Sequence, residues 1–476
     1  MYPALISLPL LMAGLTLVLP SRRGRTLLLP VSGAAHFALA WRAVGARSEE
    51  ASTWLALDAP GKVVLLLVSF LFLTCSLYAV GYMAYRRERP DRVFCACFQV
   101  LLSMMSLVVL SNHLGLMWVA MEAATLSTAP LIYYNRTPRS IEATWKYLLV
   151  GSVGIAIALL GSLFLAYASL HANAEPSLVL TDLRRVAPNL SAPWTQAAFM
   201  LILVGYGTKM GLAPMHTWKP DAYGEAPGIV GAMLAGGLTS CAFLAIVRVF
   251  RIVSLAGEGE LASRTLVAMG LFSMALAGMF MAGQRDFKRM LAYSSVEHMG
   301  ILVLGLGLGG LATFGAFLHM VYNGITKCVL FLSAGNIHRS FDSKTVDGVS
   351  GAIRRLPASG TLFLFGFLAI TGSPPFAVFF SEFTILRGAL EGERFVVAGL
   401  FLLFLFVVFV AMGATVLAVV QGRPDASLPA TRYRDGLLTV APVAACLLLL
   451  LVFGFHLPAA LESLLSSAAR SLVEGP

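Results

Sequence analysis

Charge is what this chain has least of. Asp, Glu, Lys and Arg make up only 12% of its 476 residues, where a soluble domain carries roughly 25%, which excludes an ordinary cytosolic enzyme and a nucleic-acid-binding domain. Cysteine is scarce too. The six present, Cys75, Cys95, Cys97, Cys241, Cys328 and Cys446, all lie in apolar runs and form no C-x-x-C pair. A zinc or iron–sulfur site needs thiolates clustered at short spacings, so these six read as small buried hydrophobes and a secreted disulfide scaffold is excluded. There is no haem, flavin or dinucleotide motif, no low-complexity tract and no second soluble domain. The expectation is a chain with no cofactor, no metal and no catalytic residue, whose redox chemistry, if any, belongs to a partner.

What is abundant is apolar sequence, 58% of the chain. A run of about 20 apolar residues spans a bilayer as a helix, and on that basis the chain reads as an all-α polytopic membrane protein with about 14 transmembrane helices. The spans are expected near 3–19, 26–44, 62–84, 93–110, 112–134, 147–170, 194–216, 228–250, 266–282, 291–307, 313–335, 359–390, 395–420 and 437–456. The first resembles a signal peptide in length but has no basic leader and no cleavage site, and is expected to be retained as a span. Basic residues collect in alternate loops: Arg22, Arg23 and Arg25; Arg86, Arg87, Arg89 and Arg92; Arg136 and Arg139; Arg285, Lys288 and Arg289; Arg339, Lys344, Arg354 and Arg355; Arg423, Arg432 and Arg434. By the positive-inside rule these loops face the cytoplasm and both termini lie outside.

An ionised side chain at mid-bilayer costs about 2.5 to 3.5 kcal/mol on insertion scales, so each one present needs a partner, a wet cavity or a purpose. Glu122 falls near the centre of span 112–134, too deep to snorkel to an interface. Lys209 stands in span 194–216, among glycines and beside Gly211 and Pro214, which interrupt the helical hydrogen-bond ladder; a lysine desolvated beside such a break can exchange a proton. His319, Asn323 and Lys327 recur every four residues, which puts them on one helical face. Such a stripe suits a proton wire of groups one turn apart bridged by water, or, more blandly, glue between helices. Gly372, Pro374 and Pro375 form a second breaker, followed by Glu382. The two broken spans are the seventh and the twelfth, so an internal repeat of five helices is the economical reading. Glu297 and His298 fall near a helix start, Lys146 near a boundary where it can snorkel, and His216 closes the first break; these are weaker proton-pathway candidates.

The run from Lys209 through Pro214, His216, Trp218, Pro220 and Asp221 to Pro227 resembles the signature of the antiporter-like membrane subunits shared by respiratory complex I, Mrp-type sodium/proton antiporters and group 4 membrane-bound hydrogenases. So do Asp286 to Ser295, His319 to Phe331, and Gly372 to Glu382, in the same order. Ser294-Ser-Val-Glu297-His298-Met-Gly300 is most similar to the branch that holds the F component of hydrogenase-4 and formate hydrogenlyase. The resemblance implies two inverted five-helix repeats, each with a broken helix and half of a proton channel. The expected division is residues 1–92 as N-terminal helices, 93–250 as the first repeat, 264–420 as the second, and 437–476 as the C-terminal helix and tail.

It also implies roles. Glu122 matches the glutamate that pairs with the broken-helix lysine, Lys209 that lysine, His319 and Lys327 polar positions on the connecting axis, and Glu382 the terminal ionisable group. Three positions depart from the family pattern: Asn323 stands where relatives often have His, 231–237 lacks a histidine found in some members, and Lys219 stands where leucine is usual. The implied function is proton translocation in the cell inner membrane, within a complex of other membrane subunits and a soluble redox module. An Mrp-type sodium/proton antiporter subunit, an NADH:quinone oxidoreductase subunit, or a scaffold for a soluble enzyme are the rivals.

Overall fold

In the computed structural model the described residues are 1–46, 52–86, 89–170, 175–424 and 433–472. Arg87 and Arg432, two of the expected loop cations, and the tail 473–476 lie outside them. The helices in chain order are α1 (Tyr2–Val18), α2 (Arg22–Gly45), α3 (Ala59–Tyr85), α4 (Arg92–Leu110), α5 (Leu114–Ile132), α6 (Pro138–Leu170), α7 (Leu180–Val186), α8 (Ala192–Met210), α9 (Trp218–Glu225), α10 (Gly228–Ala232), α11 (Thr239–Val253), α12 (Gly259–Met281), α13 (Phe287–Leu308), α14 (Gly310–Phe341), α15 (Ala352–Arg355), α16 (Pro357–Ile370), α17 (Ala377–Glu391), α18 (Phe395–Val420), α19 (Leu437–Phe455) and α20 (Ala459–Arg470). No named strand occurs among the described residues, only three isolated bridges in loops.

Among the described residues, ten helical stretches are long and apolar enough to cross a membrane, and α1 and α16 are shorter apolar helices. One of the ten, Gly228–Met281, holds two expected spans that meet at a kink where Gly257 takes φ +85°. The seventh and twelfth expected spans are the interrupted ones: α8 ends at Met210 inside the seventh, with α9 following just beyond it, and the twelfth is split into α16 and α17. The apolar residues of α11 and α14 are enclosed by the rest of the protein, while those of α18 and α19 stay mostly open.

The alternating basic loops gather on one face and are tied together there. Arg25 pairs with Asp91 at 2.7 Å, Arg86 donates to Asn135 Oδ1 at 2.8 Å, Asn135 donates to the Glu225 carbonyl at 2.8 Å, and Lys344 bridges Glu225 at 2.5 Å and Asp286 at 3.3 Å. Asp286 also caps α13, accepting from the backbone N–H of Lys288 and Arg289 at 2.9 and 3.1 Å; an N-terminal carboxylate satisfies donors that the helix itself leaves open. This cap starts α13 four residues before the expected 291. Glu297 and His298 consequently fall in the middle of the helix rather than near its start.

Two breaks of similar construction sit in the bundle. At the first, Gly211 takes φ +80° and its N–H closes α8 on the Gly207 carbonyl at 2.8 Å, a left-handed cap that favours glycine. Carbonyls freed by the break are then taken by side chains of α9: Trp218 Nε1 donates to Thr208 O at 2.9 Å and Lys219 Nζ to Met210 O at 2.7 Å. At the second, Gly372 takes φ +64°, and Ser373 N–H reaches back to the Leu368 carbonyl at 3.0 Å. Buried backbone irregularity is tolerated at membrane depth because protein groups satisfy it.

Candidate functional site

The ionisable side chains form a line through the interior. At one end, Glu122 on α5 accepts from Ser152 Oγ on α6 at 2.5 Å, while its other carboxylate oxygen is buried without a hydrogen bond. Lys209, only 1% exposed, hydrogen-bonds Thr125 Oγ1, one turn along α5 from Glu122, and its ammonium lies 5.1 Å from the Tyr147 ring centroid. Helices α6 and α8 approach closely enough for this through small residues; a Cβ on Gly205 would meet Ala158 Cβ at 2.5 Å and one on Gly154 would meet Thr208 Cβ at 2.7 Å, the packing mode that brings membrane helices together.

The middle of the line is Lys219, a residue that the sequence marked only as a departure from the family pattern. It is wholly buried. Its Nζ donates to the carbonyl of Met210, the neighbour of Lys209, and lies 3.4 Å from the carbonyl of Ser295 on α13. The next residue back, Ser294, takes Lys327 Nζ at 2.7 Å. Lys219 and Lys327 thus stand on consecutive residues of α13. The signal available in the sequence was a lysine between Trp218 and Pro220, where the family usually has leucine. Lys288 is equally buried but donates to the Gly224 and Ala226 carbonyls at 3.0 and 2.6 Å, off the line, where it pins the end of α9.

Beyond Lys327 the groups close up. Glu297 and His298 are buried at 2% and 1% exposure, and the His298 ring lies 3.8 Å from a Glu297 oxygen. His298 Nδ1 and His319 Nε2 are 2.9 Å apart, and His319 Nδ1 is 3.0 Å from Ser381 Oγ. The Ser381 hydroxyl donates to the Val378 carbonyl at 2.7 Å, so its oxygen accepts from His319 Nδ1–H. In the neutral ring His319 Nε2 is then the acceptor and His298 Nδ1–H the donor. Glu382, next to Ser381, folds back over the second break: a Cβ on Gly372 would fall on its carboxylate. Its Oε1 has no hydrogen-bond partner.

Of the sequence candidates, Glu122, Lys209, Glu297, His298, His319, Lys327 and Glu382 therefore join the line. Asn323 lies on the same face of α14, 2% exposed, with Oδ1 unsatisfied. His216 sits in the first break, packed by Phe280 and Tyr293 and near Lys219, and makes no contact with Lys209 or Lys327 that carries the line onward. Lys146 stays apart from it: it is exposed and paired with Glu142 at 2.6 Å and Asp221 at 3.0 Å. Gly211, Pro214, Gly372, Pro374 and Pro375 all fall within the two breaks, as their spacing implied.

Known proteins share this arrangement of helices. Residues 111–408 match the family model described as NADH:quinone oxidoreductase/Mrp antiporter, transmembrane. A hydrogenase-4 component F homolog of Methylacidiphilum infernorum is 38% identical over 79% of this chain and 80% of its own. NADH-quinone oxidoreductase subunit N of Desulforudis audaxviator is 33% identical over 72% of this chain and 68% of its own. A chain of respiratory complex I from Thermus thermophilus superposes with a TM-score of 0.79 at 26% identity, covering 95% of this chain and 97% of that one. With this helix order, these two breaks and a match over more than half its length, the chain belongs to the antiporter-like membrane subunits of the NADH:quinone oxidoreductase/Mrp family.

Proposed function

We propose that the chain moves protons across the inner membrane as a subunit of an energy-converting complex of the hydrogenase-4 or formate hydrogenlyase kind, in which a partner's redox chemistry drives the movement. One observation carries the reading: a series of ionisable groups through the interior, Glu122, Lys209, Lys219, Lys327, Glu297, His298, His319 and Glu382, all buried except the half-buried Glu122, with hydroxyls and carbonyls standing between several of them. Coulomb interaction in a low-dielectric interior is strong, so a proton leaving one site changes the affinity of the next. Glu122 and Lys209 would serve the half 93–250, and Glu297 to Glu382 the half 264–420, with Lys219 between them. The shared basic face supports a cytoplasmic placement of those loops and outer placement of both termini. The partners are other membrane subunits and a soluble redox module.

The test is Lys209→Ala in the assembled complex, reconstituted in vesicles. Assembly should persist and the proton gradient should be lost; a normal gradient sinks the assignment. Flux that depends on sodium in vesicles holding this chain without a redox partner would favour a sodium/proton antiporter instead.

A further inference from the structure

We propose that His298, His319 and Glu382 form a binding site for a divalent transition cation of the zinc class, and that its occupancy and proton passage exclude one another. One ligand atom from each of the three residues lies within 4.8 Å of the others, and all three side chains are buried. Ligands of one tetrahedral zinc ion, at about 2.0 to 2.1 Å from the metal, stand about 3.3 Å apart. The imidazole pair, at 2.9 Å, needs only a slight opening. The carboxylate is the movable partner, since Glu382 is 6% exposed and its Oε1 is unsatisfied.

The surroundings fit a metal in a way that a bare cluster would not. Metal-bound histidines almost always donate their other ring N–H to an oxygen that fixes the tautomer. His319 already does so: its Nδ1–H is held by Ser381, which leaves Nε2 with its lone pair toward the triad. His298 needs its proton moved from Nδ1 to Nε2, and that nitrogen faces the Glu297 carboxylate at 3.8 Å. The exchange is a tautomer shift within one ring, with no redox step. Two imidazoles and one carboxylate suit Zn²⁺, Cu²⁺, Ni²⁺ or Co²⁺, whereas sodium, magnesium and calcium prefer oxygen throughout. Thr371, Gly372 and Ser373 of the second break are partly exposed, and Gly372 lies against the Glu382 carboxylate.

Binding uses the lone pair of His319 that accepts the proton of His298, so a bound ion removes that hydrogen bond. Lys327 on α14 lies within electrostatic reach of both imidazoles, Lys219 on α9 within reach of His298, and Glu297 on α13 within reach of Glu382. A metal ion competes with the protons on these groups, and its affinity falls as the pH is lowered.

The experiment is titration of the purified full-length chain, free of any polyhistidine tag, with Co²⁺. One equivalent should bind, show the visible d–d bands of a four-coordinate nitrogen/oxygen site, and be displaced by Zn²⁺. His298→Ala and Glu382→Gln should each abolish the bands. Ser381→Ala, which removes only the outer oxygen, should keep the stoichiometry and weaken binding on the order of 10- to 100-fold; it carries the test should the other variants fail to fold, as judged by thermal unfolding without metal. No bound equivalent in the native chain, or affinity unchanged in Ser381→Ala and in whichever of the other two folds, overturns the site. The block of proton flux by Zn²⁺ rests on the proposed function, but binding is read without transport. A chain that binds Co²⁺ yet moves no protons would refute that function alone.

Discussion

The ammonium of Lys209 occupies the place where Gly151 would carry a side chain. A Cβ built on Gly151 would lie 2.5 Å from Lys209 Nζ, far inside van der Waals contact, so the absence of one carbon on α6 is what lets the lysine lie between Thr125, Tyr147 and the neighbourhood of Glu122. Gly151→Ala should push the ammonium off Thr125 without removing any titratable group. A displacement of about 1 Å can cost on the order of a hundredfold in rate, and a loss of that size in proton flux is expected, with the complex still assembled. Gly399→Ala, where an added Cβ meets nothing within 4 Å, is the control and should leave flux unchanged. Equal flux in the two variants would show that Lys209 need not be held there.

Lys219→Leu separates a relay group from a structural pin. Leucine fills much of the same space but leaves the Met210 carbonyl without its 2.7 Å donor, a loss of about 1 to 3 kcal/mol for an unsatisfied buried group. The variant is expected to fold with a lowered midpoint of thermal unfolding and to conduct at least about tenfold more slowly, a barrier change of roughly 1.4 kcal/mol. Lys219→Arg should restore the hydrogen bond and stability but not the flux, because guanidinium does not give up its proton. Recovery of both by arginine would make Lys219 a pin and nothing more.

Much of this site was legible because lipid makes a buried charge conspicuous. Glu122, Lys209, Lys327 and Glu382 stand out against apolar neighbours, and Pro214 and Pro374 advertise the breaks. Glu297 and His298 were harder to weigh, because the apolar run that marks their helix begins after the Asp286 cap that actually starts it. Lys219 was hidden for a related reason: it lies in α9, whose mixed composition reads as a polar end to the break, and only the fold carries it back under the Met210 carbonyl. The hydroxyls that join the line, Thr125, Ser294 and Ser381, are ordinary helix residues in sequence. Which of them face the interior is decided by helix rotation.

Gly372→Ala should disable the far end of the line by two routes at once. An alanine at φ +64° adopts the left-handed region at a cost of about 1 to 2 kcal/mol, and its Cβ falls on the Glu382 carboxylate. Proton flux should fall as far as it does in Glu382→Gln, and the double variant should be no worse than either single one, since both changes act on the same carboxylate. Additive losses would mean that Gly372 matters for the break alone.

On the face opposite the basic loops, Arg248 offers a stability prediction independent of transport. Its buried guanidinium makes hydrogen bonds to Asp58 at 2.7 and 3.0 Å and to the carbonyls of Val108, Val109 and Ser111, tying α11 to the start of α3 and the end of α4. Burial pushes the Asp58 carboxyl up, but the charge and hydrogen bonds of Arg248 outweigh it and hold the group below its usual range. A carboxylate favoured in the fold in this way contributes stability that is complete above the unfolded value of about 3.9 and is lost as the pH falls through the lower folded value. Asp58→Ala leaves the guanidinium buried without its counter-charge, a change worth about 3 to 5 kcal/mol in such pairs. At neutral pH its unfolding midpoint in detergent should drop well below that of the native chain. Below about pH 4 the gap should narrow as the native carboxylate takes up its proton. A gap that stays constant down to the lowest accessible pH would mean that the carboxylate's charge contributes nothing to holding α11 against α3.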